Sequence, residues 1–360
     1  MRLRFDKRDK TSKWLAPTVY VVCVLLSFVI SGLVLTALKI NPMKAFAKMF
    51  SGAFGSSKNI AESLLQSIPL MLCGLGVAVT FKMNVSNIGA EGQFTMGAWA
   101  ATAFAVYVDI GLPQWAVFPF CFLVAFLAGA IWGVIAVLPK SLWKVNEIII
   151  TLMMNYIALL WLDYWCYGAW RDPAAANLPF CKPFPVYTRL STFFGRANTA
   201  FFWAILAAIL IFLFYKYTSR GYQIRVIGMN EKAARYAGLD VNKNIIFVMA
   251  ISGGMAGLAG LAYVAGTSGI LKPAIANGAG YTAITIAYLS KFNPFAILLV
   301  SFLFGALTQG SFSVQLMNVP VQMVTMMQGL ILLCVLGGEI FIRNKVVAKK
   351  TKAGKKEVQA

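Results

Sequence analysis

Long apolar runs alternate with short polar connectors along the whole of this chain. A membrane crossing needs roughly 20 apolar residues. Trp14 to Leu38 runs 25 residues without a charge and predicts a first span. Ser63 to Phe81, Gly92 to Val108, Ile110 to Pro139, Ile148 to Leu162 (extended past Asp163), Ala197 to Tyr215 and Asn244 to Leu271 predict the second to the seventh. Pro273 to Ser290 holds a short eighth, apolar only after Tyr281. Phe292 to Gly338 is 47 uncharged residues, too long for one crossing, and breaks around Asn318 and Pro320 into a ninth and a tenth. The expected class is an all-α polytopic membrane protein of about ten helices. Residues 1–13 form a basic N-terminal segment, 14–342 the transmembrane domain and 343–360 a basic tail, whose end T-K-A-G-K-K-E-V-Q-A is expected to be disordered. The run after Lys13 is expected to be too long for a cleavable signal, and it lacks a small-residue cleavage site.

Composition agrees with this pattern. The chain is 59% hydrophobic and 12% charged, against about 25% charged in a soluble domain, and its mean hydropathy is +0.74. The net charge of +20 gathers in short connectors and tails, without the aromatic and basic platform that single-stranded nucleic acid requires. Under the ten-span reading, 23 of the 32 Lys and Arg residues fall on the side that holds both termini and 9 on the other. That asymmetry makes the termini cytoplasmic. No histidine occurs, which excludes imidazole metal sites and His-based acid–base catalysis. Cys23, Cys73, Cys121 and Cys334 lie in apolar runs and are expected to pack as small hydrophobes. Cys166 and Cys181 fall near the outer face and are expected as two free thiols, with a disulfide as the alternative. No P-loop motif occurs, so ATP chemistry is not expected in this chain, nor is any other catalytic group evident.

The connectors hold the candidate chemistry. Asn84 to Gly97 (N-V-S-N-I-G-A-E-G-Q-F-T-M-G) puts a carboxylate, amides and three glycines at the start of the third span. A charge at that depth costs a few kcal/mol and marks function by default. Asn84, Asn87 and Glu91 would share one face of a helix at spacings of three and four. Glu91 either lines a path or caps its own half-helix. Glu147, Thr151, Asn155 and Asp163 align on one stripe of the fifth span, with Asn155 and Tyr156 near mid-membrane. These amides either meet a solute or bond neighbouring helices. Lys272 to Gly280 (K-P-A-I-A-N-G-A-G) is a second glycine-broken lead-in. Two interrupted segments in halves of opposite direction point to a transporter's binding region. G-G-M-A-G-L-A-G in the seventh span reads as small-residue packing. Gln309, Gln322 and Gln328 are weaker lining candidates. The outer loop Gly168–Arg196 is too proline-rich for a regular helix. In the connector Thr218–Lys243, Asn230 and Gly238 would cap a short helix Glu231–Ala237, whose Ala233, Ala234, Tyr236 and Ala237 suit a partner's groove.

Three motifs, N-I-G-A-E-G-Q (87–93), V-N-E-I-I-I-T-L-M-M-N-Y (145–156) and G-M-N-E-K-A-A-R-Y-A-G (228–238), together resemble permease subunits of bacterial ABC importers. That superfamily carries simple sugars, branched-chain amino acids and nucleosides. The resemblance spans roughly residues 14–342 and is strongest to the larger permease of nucleoside systems. It implies a type II importer permease fold in a bacterial cell membrane and a second, smaller permease subunit. It also implies a cytoplasmic ATPase that uses ATP and Mg, and an extracytoplasmic binding lipoprotein that meets surfaces including Gly168–Arg196. Residues 231–239 would be the coupling helix, with Gly228, Asn230, Glu231, Ala233, Ala234, Arg235, Tyr236 and Gly238 facing the ATPase. Asn87, Glu91, Gln93, Thr151, Asn155 and Tyr156 would lie on the substrate path. The chain itself would carry no cofactor, metal or catalytic residue. The alternatives are an ion-coupled secondary transporter, with Glu91 and Asp163 as the available acids, and a permease for a sugar or other small polar solute.

Overall fold

The computed structural model describes residues 2–7, 15–108, 111–176, 178–315, 317, 319–320 and 322–349. The expected disorder of the tail beyond residue 350, the break at Asn318 and the span start at Trp14 lie outside the described residues. Among the described residues thirteen α-helices follow one another: α1 (Leu15–Ala37), α2 (Pro42–Phe54), α3 (Ser57–Lys82), α4 (Ala90–Thr102), α5 (Gln114–Trp143), α6 (Glu147–Tyr167), α7 (Ala200–Tyr217), α8 (Ser219–Met229), α9 (Glu231–Tyr236), α10 (Val241–Tyr263), α11 (Ala279–Leu289), α12 (Pro294–Gln315) and α13 (Gln322–Arg343). Among the described residues, seven helices are long and apolar enough to cross a membrane alone: α1, α3, α5, α6, α7, α10 with its extension to Ser268, and α12. The expected third span is α4 prolonged by a π-helical turn, Ala103–Tyr107. The expected eighth is only the 11-residue α11. At 1.5 Å per residue it covers about 16 Å, half of an apolar core about 30 Å thick.

Two compact units are present, residues 1–46 with 319–360, and residues 47–318. In the smaller, α1 packs on α13, Phe28 meets Phe46 edge to face at 5.6 Å, and residues 2–7 pair antiparallel with 344–349. That strand pairing was not expected in either basic terminal segment.

The larger unit is organised around α3 and α10, which are buried on nearly every side. A helix apolar all round belongs inside. α10 packs against α3, α4 and α5, and its small residues set the spacing. A Cβ at Gly257 would run into the Ala125 carbonyl, one at Gly253 into the Gly129 carbonyl, and one at Gly260 into the Phe94 carbonyl. Backbones approach this closely only where side chains are missing. The G-G-M-A-G-L-A-G stripe therefore serves packing, as the sequence suggested. Cys73 and Cys121 are buried in this unit.

Two helices were not expected. The first, α2, follows Asn41, whose side chain accepts from the Lys44 amide, with Pro42 at the first helical position. α8 follows Thr218, whose hydroxyl accepts from the Gly221 amide, and it occupies the stretch read as a connector. Among the described residues, the loop Gly168–Arg196 has no α-helix; it holds a turn of 3₁₀ helix at Val186–Thr188, an isolated bridge between Arg171 and Cys181, and one strand of a small hairpin of 192–194 with 197–198.

Overpacking a well-filled site costs about 1–3 kcal/mol, more where backbone must move. Gly257→Val is expected at or above the top of that range, because its obstacle is a carbonyl. Gly329→Val on α13, where a Cβ meets no atom within 4 Å, is expected to be tolerated. Thermal loss of the monodisperse peak in detergent should fall well earlier for the first variant than for the second.

Candidate functional site

α3 ends at Lys82 with Met83 as its cap, and Asn84 turns the chain in the left-handed region at φ 62°, a conformation asparagine tolerates better than most residues. Residues 84–88 are not helical, so Asn84, Asn87 and Glu91 do not share the helical face expected of them. Asn87 instead folds its Oδ1 back onto the Gly89 amide at 2.9 Å. α4 then begins behind Gly89, which has no capping side chain. The amides of a helix's first turn need acceptors from elsewhere. Here they come from α6: Gly92 N–H donates to Asn155 Oδ1 at 2.9 Å, and the preceding Ile88 N–H to Thr151 Oγ1 at 3.4 Å.

α11 starts in the same way. Gly278, at φ 80°, supplies no cap. Its own N–H and that of Gly280 donate to Glu91 Oε1 and Oε2, each at 2.7 Å. A Cβ at Gly280 would strike the Glu91 backbone nitrogen, so the N-termini of α4 and α11 touch. Glu91, 4% exposed, lies where two positive helix ends converge, a natural seat for a carboxylate. The sequence left open that Glu91 caps its own half-helix; the helix it caps is α11.

Asn155 completes the arrangement. Its Nδ2 donates to the Ile88 carbonyl at 2.9 Å and to the Tyr281 hydroxyl at 3.1 Å. Asn87 Nδ2 donates to Gln93 Oε1 and to Ser252 Oγ, both at 2.9 Å. The fold thus gathers Asn87, Glu91, Gln93, Thr151 and Asn155 into one buried network joining α4, α6, α10 and α11. It leaves Tyr156 outside, 54% exposed on the other face of α6. Asp163 is half-buried and takes no part. Gly278, Gly280, Tyr281 and Ser252 are the partners that spacing along the chain could not reveal. The glycine-broken stretch 272–280 was the available signal. Among the described residues no cluster of His, Cys, Asp and Glu suited to a metal ion occurs. Amides, hydroxyls and a carboxylate bonded to two backbone amides are groups whose chemistry suits a polar solute.

The connector between α7 and α10 forms a second candidate surface. The Asn230 side chain accepts from the Ala233 amide at 3.1 Å. Gly238 turns the chain at φ 79°, and Arg235 pairs with Glu231 at 2.9 Å. Both expected caps are present. Ala234 is fully buried against its own chain, a correction to its expected place on the partner-facing side. Tyr236 is 94% exposed, and Met229, Ala233 and Ala237 are exposed with it. A Cβ at Gly228 would strike the Lys82 carbonyl, so α8 rests on the end of α3. A recess of about 600 Å³ beside α9 is lined by Lys140, Lys144, Glu147, Lys232, Arg235 and Asn242 among others. In it Lys140 bonds Glu147 at 2.6 Å.

A family model described as branched-chain amino acid transport system / permease component matches residues 59–336. The glucose ABC transporter permease protein TsgB13 of Haloferax volcanii is 32% identical, over 96% of this chain and 94% of its own length. The guanosine ABC transporter permease protein NupP of Bacillus subtilis is 30% identical, over 88% and 92%. The nucleoside ABC transporter permease protein NupB of Lactococcus lactis is 26% identical, over 84% and 85%.

A buried donor or acceptor left unpaired costs about 1–3 kcal/mol. Glu91→Gln replaces one of two acceptors with a donor that faces a backbone N–H. Asn155→Leu strips the Gly92 N–H and the Ile88 carbonyl of their partner. Both are expected to lower thermal stability in detergent, whereas the exposed Tyr156→Phe should leave it unchanged. A melting temperature equal to wild type in Glu91→Gln would show that its carboxylate does not hold α11.

Proposed function

The chain belongs to the permease-component family of branched-chain amino acid transport systems, and from that premise we propose that it is the membrane-spanning permease of an ATP-driven importer for nucleosides. It is a multi-pass membrane protein and a transport subunit, not an enzyme. The observation that carries the mechanism is the pair of interrupted helices, α4 and α11, meeting N-terminus to N-terminus over Glu91. Non-helical backbone at membrane depth is tolerated only when packed in protein or lining a cavity. Residues 83–89 and 269–278 are such stretches, and α4 and α11 complete the crossings they begin. Counted this way the chain makes ten crossings of a type II importer permease, with 14–342 as the membrane domain and both termini in the cytoplasm.

ATP and Mg are used by a partner ATPase, which seats on α9 through Ala233, Tyr236 and Ala237, with Asn230 and Gly238 fixing the helix ends. A second, smaller permease completes the membrane core, and an extracytoplasmic binding lipoprotein delivers solute to the face that carries the loop Gly168–Arg196. Asn87, Glu91, Gln93 and Thr151 hold the two half-helices. Asn155 and Tyr281 are the groups offered to solute as the bundle alternates between outward and inward access, whereas Tyr156, on the other face of α6, is not among them.

A neutral solute fits, since the carboxylate at this depth is consumed by two backbone amides. The same fact weighs against ion-coupled secondary transport, which would need Glu91 free. The guanosine and nucleoside permeases among the relatives favour a nucleoside. The glucose permease, 32% identical, supports a second reading as a sugar permease.

Labelled-nucleoside uptake into proteoliposomes that hold the complete complex tests this directly. Uptake should require ATP inside the vesicle-equivalent of the cytoplasm and should survive an excess of glucose. Competition by glucose alone would favour the second reading, and uptake driven by an ion gradient without ATP would end the first. Tyr236→Glu should abolish ATP-driven uptake while leaving the permease folded and in the membrane, because it puts a charge where a partner's apolar groove must close. Normal uptake in that variant would remove α9 as the docking helix.

A further inference from the structure

Cys166 and Cys181 are not used by the transport reading. Cys166 stands in the last turn of α6, and Cys181 lies 15 residues on, in the loop that follows. Their Sγ atoms are 3.4 Å apart, and the residues are 0% and 1% exposed. Small side-chain rotations from that contact reach bonding distance, since a disulfide needs its sulfurs about 2 Å apart. The loop is fastened around them. Cys181 N–H donates to the Leu271 carbonyl at 3.0 Å, and Phe184 N–H to that of Gly269 at 2.9 Å. Tyr107 stacks on Trp170 at 4.6 Å, donates to its carbonyl at 2.6 Å and accepts from the Lys182 amide at 3.0 Å. The two sulfurs therefore meet because both flanking segments are independently held, not through a chance approach of a loose loop.

We propose that Cys166 and Cys181 form a disulfide in the mature protein, stapling the outer loop to the end of α6. The proposal rests on the orientation given above, which puts this loop on the extracytoplasmic side, where disulfides form and persist. Both cysteines are unbonded in the structure, in line with the expected free thiols; the proposed bond closes their 3.4 Å contact on oxidation. The oxidant is an external disulfide, R–S–S–R, of the thiol–disulfide oxidoreductase class. The Cys181 thiolate attacks one of its sulfurs, forming a mixed disulfide and releasing R–S⁻. The Cys166 sulfur then gives up its proton, attacks Cys181 Sγ and expels the second R–S⁻. The two protons from the cysteines end on two R–SH, and the two electrons on the former external bond. Because both sulfurs are buried in the folded chain, the exchange takes place before the loop docks. The finished bond is then shielded from reductant.

The chain carries six cysteines, so alkylation in denaturant reads the pairing directly. Membranes holding the whole complex are quenched with an alkylating agent in denaturant, and labelled cysteines are counted by mass with and without prior reduction. Four labels are expected without reductant and six after it. Cys166→Ala should take five labels with or without reductant, because Cys181 has lost its partner. Six labels on the unreduced wild-type chain overturn the disulfide, whatever the variant does. Orientation is tested separately by an impermeant thiol reagent on Lys182→Cys in a chain otherwise free of cysteine. Labelling from outside together with six free thiols rejects the disulfide alone. Labelling only from the cytoplasmic side rejects the orientation and the disulfide with it.

Discussion

The Glu91 carboxylate between the N-termini of α4 and α11 is the constraint on which the membrane-buried half of this structure depends. A bare charge at this depth would be costly, and so would the free amides of an uncapped helix start. Each cost offsets the other. The carboxylate accepts from Gly278 and Gly280 at 2.7 Å, and hydrogen bonds to a charged group are stronger than neutral ones. Neither helix could begin at this depth alone. α4 has its amides met by Asn155 and Thr151 of α6, and α11 by a residue of α4. Breaking the chain of donors at any member leaves an orphan elsewhere, so the interruptions in the two crossings stand or fall together.

The same unit also connects this network to the exposed helix α9 through continuous packing. α9 follows α8 across the single residue Asn230. α8 rests through Gly228 on the Lys82 carbonyl at the end of α3. One residue beyond α3's cap, Asn84 turns the chain toward Asn87 and Glu91. Glu147, paired with Lys140 near α9's recess, accepts from the Ser86 amide at 3.4 Å. A push on α9 thus meets rigid elements up to the very segment that holds α11. Contiguous packing is a physical precondition for coupling, not coupling itself. What makes it relevant here is that it ends on a pair of helix starts with a short list of exchangeable hydrogen bonds.

Much of this was legible along the chain, and the parts that were not share a cause. Apolar run length located α1, α5, α6, α7, α10 with its extension to Ser268, and α12 to within about five residues, and α3 except for its first six, because in lipid a crossing must be long and uninterrupted. The stripe through Thr151 and Asn155 was readable because helical period alone puts them on one face, and that face is buried. The caps of α9 were readable because Asn230 and Gly238 act locally. By contrast, Glu91 finds its partners 187 and 189 residues away, and no local rule reaches that far. α8 was missed because two glycines, two arginines and a glutamine hide an inward face made of Gly221, Ile224 and Ile227. The capping Thr218 was its available signal, as Asn41–Pro42 was for α2. Ala234 was misplaced because a one-and-a-half-turn helix rich in alanine looks apolar on every side. Only its neighbours decide which methyl points inward.

The membrane explains why glycine and asparagine, not leucine, do the structural work at the centre. Lipid tails are as apolar as any side chain, so helices gain nothing by hiding leucine from them. The large apolar residues of α6 and α7, such as Ile149, Leu160, Phe202 and Leu206, are accordingly exposed. Association has to come from close backbone contact and from polar groups with nowhere else to go. The first is supplied by α10, whose glycines abut carbonyls of α4 and α5. The second is supplied by Asn87, Glu91, Gln93 and Asn155, all nearly inaccessible and all bonded to a different helix or turn. Glycine contacts hold at one spacing and resist sliding, whereas hydrogen bonds between amides can trade partners at little cost. A bundle built from both has a stiff seam along α10 and an exchangeable one at α4–α11, and the proposed function places the solute passage at the exchangeable seam, where helix starts can part without exposing bare backbone to lipid.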